Sequence, residues 1–169
     1  GDGLIRFTGP TSVDIRFTGL APIVDTVVSA LLTVNGTDAA NTISLTNGLV
    51  APRLRVAVDA FETIEFDNKA SLVINAGDGT AGGDAADNAT VNVSNVPVAL
   101  TAVTINGNEG NDTIIVLARS GAYSLNLNGN ENDDQINASA PAAGPGSIFF
   151  NGNDVNDALI GGPDDDTFD

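Results

Sequence analysis

No cysteine, histidine, methionine or tryptophan occurs in these 169 residues. Without cysteine there are no disulfides and no thiolate chemistry; without histidine the usual general base and the imidazole ligands of zinc are gone. Basic side chains are almost as scarce: Arg6, Arg16, Arg53, Arg55, Lys69 and Arg119 stand against 22 acidic residues, a formal charge of −16. Such a chain has nothing with which to neutralise phosphates, which excludes nucleic acid and disfavours an anionic membrane surface. No apolar run approaches the 18 or so residues of a spanning helix, so no membrane span is expected. Aromatics are limited to Tyr123 and seven Phe. A core must therefore be assembled from Val, Ile, Leu and Ala, and the β-branched share favours strands. No secretory leader is recognisable at Gly1, so the numbering is expected to start after processing or inside a longer protein. The length fits one domain over residues 1–169, able to bury about 70% of its unfolded surface.

What the sequence does have is repetition. Ile5-Arg6-Phe7-Thr8-Gly9 recurs letter for letter as Ile15-Arg16-Phe17-Thr18-Gly19; a ten-residue spacing fits a strand and a tight turn and leaves no room for a helix. A second pattern joins an alternating apolar run to Asn and a nearby Gly. It occurs as Leu32-Thr33-Val34-Asn35-Gly36, Val73-Ile74-Asn75-Ala76-Gly77, Val103-Thr104-Ile105-Asn106-Gly107, Leu125-Asn126-Leu127-Asn128-Gly129 and Ile148-Phe149-Phe150-Asn151-Gly152. Gly107, Gly129 and Gly152 are 22 and 23 residues apart. That interval predicts an all-β parallel β-solenoid of the β-helix or β-roll type, with about 20–23 residues per coil and essentially no helix. The 41-residue step from Gly36 to Gly77 is read as two coils with a degenerate turn near Asp59. The 30-residue step from Gly77 to Gly107 is read as one coil carrying a loop at 79–88. The domain then divides into N-terminal strands at 1–32, degenerate coils at 33–93 and acidic-turn coils at 94–169. The Asn at 35, 75, 106, 128 and 151 are expected to stack as a side-chain ladder.

The segment Gly107-Asn108-Glu109-Gly110-Asn111-Asp112-Thr113-Ile114-Ile115 resembles the calcium-binding nonapeptide of the hemolysin-type (RTX) repeat family, Gly-Gly-x-Gly-x-Asp-x-apolar-x. Gly161-Gly162-Pro163-Asp164-Asp165-Asp166-Thr167-Phe168-Asp169 is a second copy, and 129–137 and 152–160 are weaker ones. The resemblance implies that calcium lies between successive turns, held by backbone carbonyls and by the carboxylates of Asp112, Asp134, Asp157 and Asp166. It implies that Gly107, Glu109, Asn111, Gly129, Glu131, Asp133, Gly152, Asp154, Asn156, Gly161 and Asp164 complete those turns. Asn41 and Asp87 are read as structural turn residues. At the fourth position of the turn, Gly110 gives way to Asn132, Val155 and Asp164; a β-branched residue opposes positive φ, so the turn at Val155 is expected to be distorted. Independently of the resemblance, in-register strands would stack carboxylates about 4.8 Å apart. Each adjacent pair then repels by about 1 kcal/mol in water and several-fold more at an effective dielectric of about 20, which calls for a cation.

Paired acids such as Glu62 with Glu65, or Asp133 with Asp134, have no cluster of Arg, Lys or Tyr near them in sequence, so no enzymatic activity is expected. Writing Asp166 to Asp169 ahead of Gly1 to Ile5 gives a plausible continuation of the pattern, which suggests head-to-tail stacking of copies. The expected role is therefore a calcium-binding structural module, extracellular or at the cell surface, whose partner is another copy in a filament, sheath or fibre. The alternatives are a repeat domain of a secreted adhesin, packed on neighbouring repeats, or a glycan-binding accessory domain that meets extracellular polysaccharide.

Overall fold

The computed structural model describes residues 2–7, 13–18, 22–77, 83–119, 123–139, 147–153, 155–162 and 165–169, and for residues 2–18 the backbone only. Every regular element among them is a strand. In chain order these are β1 (Asp2–Phe7), β2 (Val13–Thr18), β3 (Ile23–Asp25), β4 (Ser29–Asn35), β5 (Thr42–Asn47), β6 (Leu54–Val58), β7 (Ile64–Phe66) and β8 (Lys69–Asn75). They continue as β9 (Asn88–Asn92), β10 (Ala102–Asn108), β11 (Thr113–Ala118), β12 (Ser124–Asn130), β13 (Gln135–Asn137), β14 (Ile148–Asn153), β15 (Ala158–Ile160) and β16 (Thr167–Phe168).

Strict alternation explains why these segments are strands and which way they face. In β10 and β12 every second residue is buried, the period-two pattern of a sheet with one face in a core. A six-stranded sheet runs β16-β14-β12-β10-β8-β4, with every pair parallel. Its register stacks Leu32, Leu72, Val103, Leu125 and Ile148 in one column, and Val34, Ile74, Ile105, Leu127, Phe150 and Phe168 in another. An eight-stranded sheet runs β15-β13-β11-β9-β5-β6-β7-β3 and contributes Ile43, Ala89, Ile114 and Ile136, with Leu45, Val91 and Val116 beside them. The inner faces of both sheets merge in one apolar cluster. From β8 onward the chain alternates between the sheets, so each turn on one edge carries it from a strand of the first sheet to a strand of the second.

The expected parallel β-solenoid is not what the chain forms: its strands make two larger sheets and a ribbon, and three findings correct the expectation. First, β5–β6 and β6–β7 are antiparallel, making the eight-stranded sheet mixed. The turn at 48–53, closed by Gly48 N–H on the Arg53 carbonyl at 2.8 Å, and the turn after Val58, where Asp59 is left-handed at φ 46°, reverse the chain. Connections that short join antiparallel strands, whereas parallel ones need a crossover. The residues read as a degenerate coil near Asp59 are therefore a hairpin pair within one sheet. Second, β1 and β2 form a separate antiparallel ribbon. Third, the sequence distance between neighbouring strands falls from 40 (Asn35 to Asn75) to 31 (Asn75 to Asn106) to 22 (Asn106 to Asn128), so no constant period spans the chain. The loop expected at 79–88 falls partly outside the described residues; 83–87 carry no strand and β9 starts at Asn88.

Two buried cations have partners close by. Lys69 is buried with its ammonium 3.0 Å from Asp25 Oδ1 and donates to the carbonyls of Val27 and Asp67. Arg119, also buried, donates to the Ser147 carbonyl at 3.2 Å.

Because Leu125 is fully enclosed in its column, Leu125→Ala is expected to cost about 2–5 kcal/mol. Leu117→Ala, on the exposed face of β11, should stay within about 0.5 kcal/mol. Urea unfolding with unchanged slope checks both.

Candidate metal centre: a buried aspartate column

The turns that lead from the six-stranded into the eight-stranded sheet share one construction. Each opens on an Asn of the strand end. Asn75 Nδ2 donates to Asn35 Oδ1 at 2.8 Å, Asn106 to Asn75 at 2.7 Å and Asn128 to Asn106 at 2.7 Å. This is the expected amide ladder over four of its five members; Asn151 lies in register beside Asn128. A buried glycine follows, and five residues beyond Gly107, Gly129 and Gly152 an aspartate folds back over it. A Cβ at these glycines would stand 2.3, 2.1 and 2.2 Å from the Oδ2 atoms of Asp112, Asp134 and Asp157. The Gly-x-x-x-x-Asp spacing is thus a steric requirement, since only a residue without a side chain leaves room for the carboxylate.

In this position each carboxylate reaches the preceding rung. Asp87 Oδ1 accepts the Asn41 N–H at 2.5 Å, Asp112 Oδ1 that of Asp87 at 2.7 Å, Asp134 Oδ1 that of Asp112 at 2.7 Å, and Asp157 Oδ1 that of Asp134 at 2.9 Å. At the first rung Asp59 closes the series, accepting Thr42 N–H and Asn41 Nδ2, both at 2.7 Å. One oxygen of each interior aspartate is thereby satisfied. The other is not: Oδ2 of Asp87, Asp112 and Asp134 is buried with no hydrogen-bond partner. Leaving a buried acceptor unmet costs about 1–3 kcal/mol, more for a charged one.

The electrostatics follow. Burial pushes the Asp112 carboxyl up to about 7, against the pull of the Asp87 N–H and with further push from Asp134, Asp87 and Asp84. Burial likewise raises Asp87 and Asp134 to about 6 each, opposed by the N–H groups of Asn41 and Asp112 and reinforced by neighbouring carboxylates. The carboxyls of the column therefore keep their protons to a higher pH than ordinary aspartates do.

Of the residues singled out from sequence, Asp112, Asp134 and Asp157 stand together in this column. Asp166 does not: it precedes β16, on the turn returning to the six-stranded sheet, where its Oδ2 accepts Gly162 N–H at 2.7 Å. Gly107, Gly129 and Gly152 are the floor under the aspartates, and Gly161 holds the same place under Asp166, where a Cβ would lie 2.5 Å from its Oδ2. Glu131, Asp133, Asn111 and Asn156 are exposed, and Asp133 Oδ1 accepts Asn156 N–H at 3.2 Å. Glu109 accepts Gly83 N–H at 2.9 Å. Asp154 and Asp164 lie outside the described residues. Asp87 and Asn41, read from sequence as turn residues only, prove to be rungs of the same column. The signal was the match of Asp87-Asn88-Ala89-Thr90-Val91 to Asp112-Thr113-Ile114-Ile115-Val116, which the sheet pairs in register from Asn88 opposite Thr113.

No family model, curated protein or solved structure matches the chain. The likeness to the hemolysin-type repeat rests on the turn residues alone.

The unmet atoms in the column are all carboxylate oxygens, the donor type that hard cations take, and calcium collects six to eight oxygens from carboxylates and carbonyls. Among the described residues no three acidic side chains surround one point. A cation at Asp112 would therefore have two column carboxylates at most, completed by backbone carbonyls or water.

The left-handed positions of the turns are occupied by Asn108, Asn130 and Asn153 (φ 76°, 82°, 73°), and again by Gly110, Asn132 and Val155 (φ 113°, 77°, 66°). Val155 is the one β-branched member of the set, and its side chain is exposed. Val155→Gly should raise stability by about 1 kcal/mol, seen as a higher denaturation midpoint.

The raised carboxyl values also set a pH dependence. The folded column binds protons that the unfolded chain, with ordinary aspartates, has already released, so in chelator stability should be highest below about pH 4 and decline as pH rises through 6–7. Melting temperature against pH checks this, and Asp112→Asn should flatten the decline.

Proposed function

We propose that this chain is a calcium-stapled structural module that assembles end to end with copies of itself in an extracellular fibre or sheath, with a mechanical rather than a catalytic role. The single observation that carries the reading is the column of buried aspartates, each with one oxygen on the next rung's backbone and, at Asp87, Asp112 and Asp134, one oxygen unmet. A divalent cation between rungs offsets the mutual repulsion of the carboxylates, and because the unfolded chain offers no such arrangement, its binding free energy adds to the stability of the fold. Millimolar calcium outside cells would keep such a column loaded.

The reading of self-assembly draws support from the sheet ends. Among the described residues β15 and β16 each pair on one side only, as do β3 and β4 at the other end. Apolar side chains lie exposed at both: Ile160 and Phe168 at one, Val24, Val27, Val28 and Leu31 at the other. Unpaired edges with apolar residues are templates for strand addition.

Calcium at a hundredfold excess over its dissociation constant should add about 2.7 kcal/mol per site. The expected observation is a melting temperature that rises with calcium at pH 7.5, falls on chelation, responds weakly at pH 5, and loses most of the response in Asp112→Asn with Asp134→Asn. Identical melting with calcium and with chelator would remove the cation from the account.

A further inference from the structure

Two requirements meet at adjacent positions of the turns. The amide ladder calls for Asn at 35, 106 and 128, joined through Asn75. The folded-back side chain calls for a residue without Cβ immediately afterwards: a Cβ at Gly36, Gly107 or Gly129 would stand 2.4, 2.3 or 2.1 Å from Asn41 Oδ1, Asp112 Oδ2 or Asp134 Oδ2. Together they force the dipeptide Asn-Gly, at 35–36, 106–107 and 128–129. Asn75 shows that the requirements are separable, because Ala76 follows it and the glycine, Gly77, comes one residue later under Asp84.

Asn-Gly is the dipeptide that deamidates most readily, since a glycine has no Cβ to shield its nitrogen or restrict its backbone. The glycine nitrogen bonds to Cγ of the asparagine, the side-chain nitrogen leaves as ammonia with the glycine's proton, and a five-membered imide forms. Water then opens the imide at either carbonyl, giving aspartate or isoaspartate.

The fold opposes the first step in three ways. In β10 and β12 the Asn side chain stands out from the sheet while the next N–H lies within it, so Cγ and the nitrogen are held apart. The nitrogen is itself engaged at Gly36, whose N–H donates to the Asn75 carbonyl at 2.8 Å. The amide is also held at both ends: Asn106 Nδ2 donates to Asn75 Oδ1 and its Oδ1 accepts from Asn128 Nδ2, each at 2.7 Å. The same restraint recurs at Asn47-Gly48, outside the ladder. Asn47 Oδ1 accepts the N–H groups of Ser94 and Asn95 at 2.9 and 2.8 Å, its Nδ2 donates to Ser94 Oγ at 2.7 Å, and Gly48 N–H donates to the Arg53 carbonyl.

We propose that the Asn-Gly pairs of the ladder are deamidation sites silenced by the fold, so that unfolding starts their conversion, and that conversion at Asn106 or Asn128 bars the ladder from re-forming. A carboxylate at position 106 has no N–H for Asn75 Oδ1 and sets two acceptors face to face. Isoaspartate also lengthens the backbone within a strand whose inward and outward faces depend on register. The modification thus leaves a one-way record of unfolding. It is independent of whether the aspartate column binds a cation.

Full-length chain is incubated at mildly alkaline pH in buffer and in guanidinium chloride, and peptide mapping by mass spectrometry reads the amide-to-acid change at each asparagine. In denaturant, Asn106 and Asn128 should convert well ahead of Asn75; in the folded chain they should convert at least about tenfold more slowly than in denaturant. Equal rates in the two states overturn the proposal, and this comparison decides the matter even where a variant does not fold. Asn75→Ala removes the acceptor of Asn106 and the donor to Asn35. In that variant, with its strands confirmed by circular dichroism, Asn35 and Asn106 should convert faster than in wild type and Asn47 at the wild-type rate. Unchanged rates at Asn35 and Asn106 mean that the ladder is not the protecting element. Asn106→Asp with Asn128→Asp reproduces one of the two products, and it should refold with a lower denaturation midpoint or not at all; a midpoint equal to that of wild type overturns the bar to re-formation.

Discussion

The structure depends on one repeated contact: an aspartate carboxylate accepting the backbone N–H of the aspartate on the rung before it. That bond locks neighbouring turns in register, satisfies an amide that would otherwise be buried unmet, and stands just ahead of β9, β11 and β13 in the eight-stranded sheet. It also concentrates negative charge in a place water does not reach, which is why burial leads the causes that raise Asp87, Asp112 and Asp134. A design that stacks carboxylates for geometric reasons inherits an electrostatic debt, and the glycines at 107, 129 and 152 make the inheritance unavoidable by admitting the side chain into the interior.

The sequence disclosed the local rules better than the global arrangement. Alternation in Val103-Thr104-Ile105 and Leu125-Asn126-Leu127 identified the inward faces, and the recurring Asn identified the amide ladder, because a strand's period of two is written directly in residue type. The turn position filled by Gly110, Asn132 and Val155 was legible because positive φ selects residue type strongly. What failed was the parallel solenoid of 20–23 residues per coil: the strands form two separate sheets, one of them mixed. Nothing in Arg53 to Asp67 distinguishes a further parallel rung from a hairpin folded within one sheet, since alternation is the same in both. The difference lies in the reversals at 48–53 and at Asp59, which are properties of backbone conformation. The site shows the same division. Asp112, Asp134 and Asp157 were found from the motif, whereas Asp166 carries the same motif and lies at the opposite edge, because a motif does not record which sheet the chain is leaving. Asp87 was underrated because its rung arrives through a longer connection.

The two sheets have unequal work. The six-stranded sheet is wholly parallel and carries long inward columns ending in Phe150 and Phe168. The eight-stranded sheet is mixed, and its β5–β6–β7 portion encloses Leu54, Val56 and Phe66. Parallel strands need long crossovers and gain little from local pairing, so the hairpin portion supplies short-range contacts to a fold otherwise built from distant ones.

The amide ladder has a sense. Every Asn donates toward the lower-numbered strand, and every backbone N–H of the aspartate series donates toward the higher-numbered one. Reversing the molecule does not superimpose these arrows on themselves, so its two extremities are chemically distinct. Any object built by continuing such arrows from copy to copy has a front and a back, and its two tips would lengthen at different rates.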